Sequence, residues 1–235
     1  MSKIKIAIQG ELGAYSHIAV ERLYKDADIQ TCSTFEETFK QAYNDPRYKI
    51  VIPIENSLAG RVADIHYLLQ KYKLQIHGEY FLPVEHNLLG KPDVKIEDIK
   101  YVRSHAQAIS QCQSIIVKRK FKSIISVDTA GSAKDLAEGK DKSIAAIASD
   151  LSAKMYNLKI LEKNIEDEKG NVTRFLIMGK NIEQPEYTTD KKFITSCIFR
   201  VKSEPSALYK CLGGFATNQV NLTKLESFSV KNTFD

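Results

Sequence analysis

The sequence predicts an α/β fold with largely parallel sheets, and three observations predict it. Short apolar runs alternate with segments of helical period through the first 180 of its 235 residues. The order is βαβα, the arrangement in which helices cover the faces of a mostly parallel sheet. Hydroxyl- and amide-bearing residues recur where an apolar run gives way to a helix, as helix starts require.

The chain opens on Lys3-Ile4-Lys5-Ile6-Ala7-Ile8, whose alternation marks a strand at 3–8. A helix at 16–25, a strand at 29–33 and a helix at 34–43 follow. The apolar run from Tyr48 to Ile54 gives a strand at 49–54, ahead of a helix at 62–71. Strands are then expected at 74–81, 84–89 and 99–103, a helix at 105–119, a strand at 123–127 and a helix at 132–138. A strand at 143–147, a helix at 149–156 and strands at 158–162 and 172–178 complete a domain over 1–180. Residues 181–190 have no apolar period and carry Pro185, so they read as a linker. Beyond it, 192–201 alternates like a strand, 205–217 has a helical pattern and 220–230 reads as a second strand. That is a βαβ unit within 191–235.

Composition narrows the function classes. Hydrophobic residues at 43% and charged residues at 27% are ordinary for a soluble globular chain, and no apolar run approaches the ~18 residues of a membrane span. The N-terminus lacks the longer apolar core of a secretory signal, so a cytoplasmic protein is expected. Cys32, Cys112, Cys197 and Cys211 stand singly, with neither disulfide-framework nor zinc spacing. The lysines behind the net charge of +5 are dispersed rather than striped with aromatics, which argues against nucleic acid. A weak positive field suits a small anion, though solvated surface lysine accounts for the same charge.

Four strand ends run into polar turns: Gly10 to Ser16, Glu55 to Gly60, Ser104 to Gln107, and Asp128 to Ser132. Any one is explained by a capped helix. Together, after strands of a parallel sheet, they fall where the carboxyl ends of strands share an edge and ligands bind. Helix starts there favour carboxylates or phosphates. None matches a Walker lysine loop or the dinucleotide fingerprint, so a small anion is favoured over a nucleotide.

Six pieces of the first 180 residues then fall into a recognisable order. They are Gly13-Ala14-Tyr15-Ser16; Pro53-Ile54-Glu55-Asn56-Ser57 with Gly60; Ser104-His105-Ala106-Gln107-Ala108 with Gln111-Cys112; Asp128-Thr129-Ala130; Ala145-Ala146-Ile147-Ala148; and Asn171-x-Thr173-Arg174-Phe175. As an ordered set they resemble the prephenate dehydratase family, whose members convert prephenate to phenylpyruvate in phenylalanine biosynthesis. The resemblance implies two lobes around a cleft, similar to type II periplasmic binding proteins, with crossings near 75–85 and 155–165. It also implies a homodimer or homotetramer and no metal or cofactor. Residues 191–235 resemble the start of an ACT regulatory domain, a ferredoxin-like module whose second half does not follow. Ser206, Ala207 and Leu208, with Glu226 and Ser227, stand at its effector-site motifs for L-phenylalanine. Pro205-Ser206 replaces the family's usual Pro-Gly, and Ser227-Phe228-Ser229 its Ser-Arg-Pro.

The implied reaction expels carbon dioxide and a ring hydroxyl together and leaves an aromatic ring. Its catalyst needs a proton donor at the departing hydroxyl, worth ~10²–10⁴ in rate, and a grip on the side-chain carboxylate. By resemblance Thr173 is the donor, with Glu55 as its proton source if the site keeps that carboxyl protonated. Asn56, Ser57, Ser104, Gln111, Ser16 and Thr129 are expected to bind or orient substrate, Ser104 and Gln111 lying two helical turns apart on one face. Arg174 is expected either to fork onto the substrate carboxylate or to tie its strand to a carboxylate such as Asp167. Arogenate dehydration, and a small-anion binding module that has lost the reaction, are the competing readings.

Overall fold

The computed structural model describes residues 3–181, 186–190 and 192–227. The chain forms two units, Met1–Gln184 and Pro185–Asp235.

The first unit holds two sheets. One contains β1 (Lys5–Gln9), β2 (Asp28–Cys32), β3 (Tyr48–Asn56), β5 (Gln75–Pro83) and β11 (Val172–Gly179), ordered β2-β1-β3-β11-β5, with the short β4 (Gly60–Arg61) paired to β3. In β1, Ile6, Ala7 and Ile8 are all fully buried, as a strand covered on both faces must be. Ile6, Ile8, Val51, Phe175 and Ile177 pack with Ala19 and Val20 of α1 (Tyr15–Leu23). Ala7, Ile50, Ile52, Leu176 and Met178 pack on the other face with α2 (Phe35–Asn44) and α3 (Ala63–Tyr72).

The second sheet contains β6 (Asn87–Gly90), β7 (Tyr101–His105), β8 (Lys122–Ser126), β9 (Ile144–Ala148) and β10 (Lys159–Glu162), ordered β10-β6-β9-β7-β8. Around it lie α4 (Ala106–Ser110), α5 (Gln113–Arg119), α6 (Thr129–Glu138) and α7 (Asp150–Met155).

The sheets are mixed, not largely parallel. β1 runs parallel to β2 and β3, and β7 to β8 and β9. β11 runs against both β3 and β5, and β6 against both β9 and β10. The reason is the route of the chain, which leaves the first sheet after Pro83 and re-enters it at Val172 from the far lobe. The two crossing segments are laced to each other by Val84 N to Asn171 O (2.8 Å), Ile165 N to His86 O (2.8 Å) and His86 N to the Glu166 carboxylate (3.0 Å).

The helix expected at 105–119 is broken into α4 and α5. The Asp167 carboxylate accepts from Gln113 N (2.7 Å) and Ser114 N (3.0 Å), N–H groups that an unbroken helix would commit to residues 109 and 110. The break leaves Gln111 as the C-cap of α4.

In the second unit the expected helix forms as α8 (Ala207–Thr217). Residues 192–201 form no strand, nor do 220–227, while 228–230 of the expected second strand lie outside the described residues. A strand must pair its backbone groups, and neither stretch pairs with another among the described residues. Ser206 enters α8 with φ 67°, Leu208 is 49% exposed, and Glu226 reaches Lys224 at 3.1 Å, with Ser227 next to it.

Candidate functional site

The site grows from a β-bulge. Along the β3–β11 ladder Phe175 lies opposite Pro53, but the next rung sets Arg174 opposite Glu55 and Thr173 opposite Asn56, so Ile54 is an extra residue. Side chains alternate between faces, and one inserted residue exchanges them. Without the bulge Asn56 would follow Ile50, Ile52 and Ile54 onto the α2–α3 face. With it, Asn56 turns to the α1 face beside Thr173, which shares that face with Phe175 and Ile177.

Both residues are buried, at 9% exposure each. The Asn56 amide nitrogen donates to Thr173 Oγ1 (2.9 Å) and to Asn171 Oδ1 (2.6 Å). Its oxygen accepts from the backbone N–H groups of Leu58 (3.1 Å) and Ala59 (2.9 Å), which fixes the amide's orientation. Asn171 in turn donates to Gln111 Oε1 (3.1 Å), and the same oxygen lies 2.9 Å from His86 Nε2. His86 Nδ1 is 2.9 Å from the Tyr15 hydroxyl, which also donates to Glu85 O (2.7 Å). Burial lowers the His86 pKa, with opposing contributions from Gln111 and Glu166, and raises that of Tyr15. One polar chain therefore passes from α1 through the crossing segment and α4 to β3 and β11.

A second clasp joins the lobes at the first turn. Gly13 sits at φ +91°, a left-handed backbone that suits glycine. Its carbonyl accepts from Ser149 (2.7 Å) and Ser152 (3.0 Å), while Tyr156 donates to Leu12 O (2.8 Å) and Lys134 meets Glu11 at 3.1 Å. No side chain caps α1, so its first-turn N–H groups remain open to an anion. Two open grooves of about 390 and 480 Å³ lie elsewhere, at β2–α2 and beside Asp93–Lys142, and include no residue of this cluster.

Thr173, Asn56 and Gln111 are thus brought together. Several other expected residues are not. Glu55 pairs across the ladder with Arg174 on the face opposite Thr173, and its carboxylate lies 4.0 Å from that guanidinium with 34% of its side chain exposed. It is not aligned to pass a proton to Thr173. Arg174 is engaged by Glu79, at 2.7 Å from Nε and 2.6 Å from a terminal nitrogen, over the Phe81 ring. The carboxylate it ties is therefore Glu79, not Asp167, which is spent on α5.

Ser104 is a fully buried strand residue whose hydroxyl donates to Ile147 O (2.6 Å), because β7 continues to His105 and His105 becomes the α4 N-cap. The expected helical spacing from Ser104 to Gln111 does not exist. Ser57 accepts from Val172 N (2.9 Å) and donates to Gly170 O (3.3 Å), fastening the returning segment. Ser16 is buried within the first turn of α1 rather than capping it, and Thr129 opens α6 behind the Asp128 cap.

Sequence reasoning missed Tyr15, His86 and Asn171. Two of these lie inside motifs already singled out for their neighbours. Among the described residues no group of three His, Cys, Asp or Glu side chains is placed to hold a metal ion, and no helix is long and apolar enough to cross a membrane.

Against known proteins, residues 6–183 match the family model for prephenate dehydratase. The chain belongs to the prephenate dehydratase family. It is 39% identical to arogenate dehydratase/prephenate dehydratase 2 of Arabidopsis thaliana over 96% of this chain and 59% of that protein. It is also 39% identical to the bifunctional N-acyl-homoserine lactone acylase/prephenate dehydratase of Komagataeibacter europaeus, over 97% of this chain and 81% of that one. The chain thus spans less than two thirds of the Arabidopsis relative it matches. A solved prephenate dehydratase from Arthrobacter aurescens, described in complex with L-Phe, superposes with TM-score 0.87 over 98% of this chain and 77% of that one. It is 24% identical and supports the fold alone.

Proposed function

We propose that this chain carries out the decarboxylating dehydration of prephenate to phenylpyruvate, with Thr173 as the donor to the departing hydroxyl. The observation that carries the reading is the direction of the Asn56–Thr173 hydrogen bond. Asn56 has only N–H to offer there, because its oxygen is taken by Leu58 N and Ala59 N. Thr173 Oγ1 must accept, which leaves its own O–H to point away from Asn56 and toward a ligand.

A threonine hydroxyl is too weak an acid to give its proton outright at neutral pH. It stabilises negative charge growing on the leaving oxygen, as preorganised donors do in other sites. The electrons come from the bond to the departing carboxylate, which becomes carbon dioxide; the hydroxide leaves as water once protonated by solvent or through Thr173. The substrate's remaining carboxylate is held by the open first turn of α1 near Ser16, with Gln111 and Asn171 beside the side-chain keto group. Ser57, Ser104 and Thr129 shape the loops around it. Arg174, bound to Glu79, supports the strand.

The same reading makes 1–180 the catalytic domain, 181–190 a linker and 191–235 an ACT-like segment. It sets the protein in the cytoplasm as a homodimer or homotetramer, with L-phenylalanine as effector at Ser206–Leu208 and Glu226–Ser227.

The test is phenylpyruvate formation from prephenate by the purified chain, with and without L-phenylalanine, and with Thr173→Val alongside. Arogenate is assayed in parallel because the Arabidopsis relative is named for both activities, and an N-acyl-homoserine lactone because the Komagataeibacter relative is named for its acylase. Turnover of prephenate lost in a folded Thr173→Val variant supports the reading; near-normal turnover in that variant sinks it.

A further inference from the structure

The polarity of the polar chain follows from its Asn56 end. The backbone N–H groups of Leu58 and Ala59 donate to Asn56 Oδ1, so Asn56 must donate to Asn171 Oδ1. Asn171 is then left to donate to Gln111 Oε1. An oxygen already accepting one bond faces His86 Nε2, so that nitrogen must carry the ring proton. The other nitrogen, Nδ1, is then bare and competes with Glu85 O for the single Tyr15 hydroxyl proton. Burial holds His86 neutral, which this single-proton arrangement requires.

His86 also occupies a particular place in the fold. It lies between β5 of one lobe and β6 of the other, and its backbone is bonded on both sides to the returning segment, through Ile165 N and Glu166. Its ring packs edge-on against Tyr15 at 5.8 Å and is 3% exposed as a residue. Tyr15 belongs to the first lobe, Gln111 to the second, and Asn171 to the returning crossing.

Resting on the reading of Thr173 as donor, we propose that His86 is a positioning residue for that reaction. Its Nε2–H orients the Gln111 amide, which holds Asn171 in place against Asn56. That steadies the Asn56 amide, already oriented by Leu58 N and Ala59 N, which keeps the Thr173 hydroxyl proton turned to the substrate. Because His86 stands in the crossing segment, this orientation is complete only when the two lobes are set as they are here.

The test contrasts three substitutions in the full chain. His86→Gln retains a nitrogen donor where Nε2 stands; His86→Asn puts one where Nδ1 stands; His86→Leu has neither. The Leu variant is expected to lose roughly ten- to a hundredfold in kcat, since misplacement of a reacting group costs on that order, with KM little changed. His86→Gln is expected to recover to within about threefold of the parent and His86→Asn not to. Full kcat in His86→Leu, or equal rates for the Gln and Asn variants, overturns the proposal. Should the Leu variant fail to fold, the Gln–Asn contrast decides alone.

Nitrogen NMR of the His86 ring gives a readout free of turnover. A protonated Nε2 with a bare Nδ1 is expected, and the opposite tautomer overturns the proposal. A parent chain inactive on prephenate and arogenate would defeat the proposed function and with it a role for His86 in that reaction, whereas an active parent with the opposite tautomer would overturn this proposal alone.

Discussion

Replacing Asn56 by Asp exchanges one side-chain nitrogen for oxygen and reverses one hydrogen bond. The new carboxylate keeps an oxygen for Leu58 N and Ala59 N, so the turn survives. Its second oxygen stands where an N–H donated to Asn171 Oδ1 at 2.6 Å and Thr173 Oγ1 at 2.9 Å. Facing an acceptor, the Thr173 hydroxyl turns its proton inward to the introduced carboxylate and away from the substrate. Loss of one preorganised donor costs about 10²–10³ in kcat. The oxygen pair at 2.6 Å loses one buried hydrogen bond, about 1–3 kcal/mol of stability. In a chain of this size that is a fall in Tm of roughly 2–12 °C, so the variant remains folded at assay temperature. Initial rates of phenylpyruvate formation at saturating prephenate isolate kcat from any repulsion between the added charge and the substrate's carboxylates, which enters KM. Thr173→Val should lose a similar factor, and the double variant no more than the worse single, because both act on the same proton. An Asn56→Asp rate within about tenfold of the parent, or losses that multiply in the double variant, refutes the directional argument.

Gly13→Ala introduces a Cβ 2.7 Å from Ser152 Oγ and 2.9 Å from its Cα, at φ +91°. Left-handed strain of ~1–2 kcal/mol and overpacking of ~1–3 kcal/mol should lower Tm by about 5–15 °C in a thermal melt; an unchanged melt would show that the clasp between the lobes gives way freely. Glu55→Gln should keep kcat within about tenfold of the parent, since Glu55 faces Arg174 rather than Thr173; a loss matching Thr173→Val would restore Glu55 as proton source. His17 accepts from Gly13 N through Nδ1 (2.9 Å), and burial lowers its pKa from 6.5 against the opposing pull of Glu21. A folded-state pKa below the unfolded one gives stability that is present above the unfolded value and is lost as pH falls through the folded value. Melting temperature should therefore drop on acidification below about pH 6.5, and His17→Gln, whose amide oxygen accepts from Gly13 N, should flatten the drop; parallel pH curves would refute it.

The elements were legible because their residues decide them locally. The alternation of residues 3–8 and the run from Tyr48 to Ile54 are strands in the structure as in the sequence, and Thr34 caps α2 by accepting from Glu37 N at 3.1 Å. What local pattern does not carry is pairing. Phe175 to Met178 reads the same whether its neighbours run with it or against it, so the mixed sheets could not be seen. The break at Cys112 was hidden for a related reason: the Asp167 carboxylate that causes it arrives from 54 residues away. Residues 192–201 alternate as a strand should, yet alternation specifies a face and not a partner.

The candidate site shows where motif reading stops. Thr173 and Arg174 are adjacent in one motif, as are Glu55 and Asn56 in another, and adjacency in a strand places such neighbours on opposite faces. Sequence can state that much, and it allows either member of each pair to face the ligand. The choice is made at Ile54, where one unpaired residue turns Asn56 toward Thr173 and Glu55 toward Arg174. Nothing in Pro53-Ile54-Glu55 announces the bulge, since Ile54 is as apolar as Ile50 and Ile52 and packs in the same core. The result separates two kinds of polar group. Neutral amides with one fixed polarity gather around the hydroxyl, and the charged pair Arg174–Glu79 is kept on the far face. On the proposed reading of Thr173, charge beside it would act on substrate and transition state alike, whereas an oriented O–H strengthens as charge develops on the leaving oxygen.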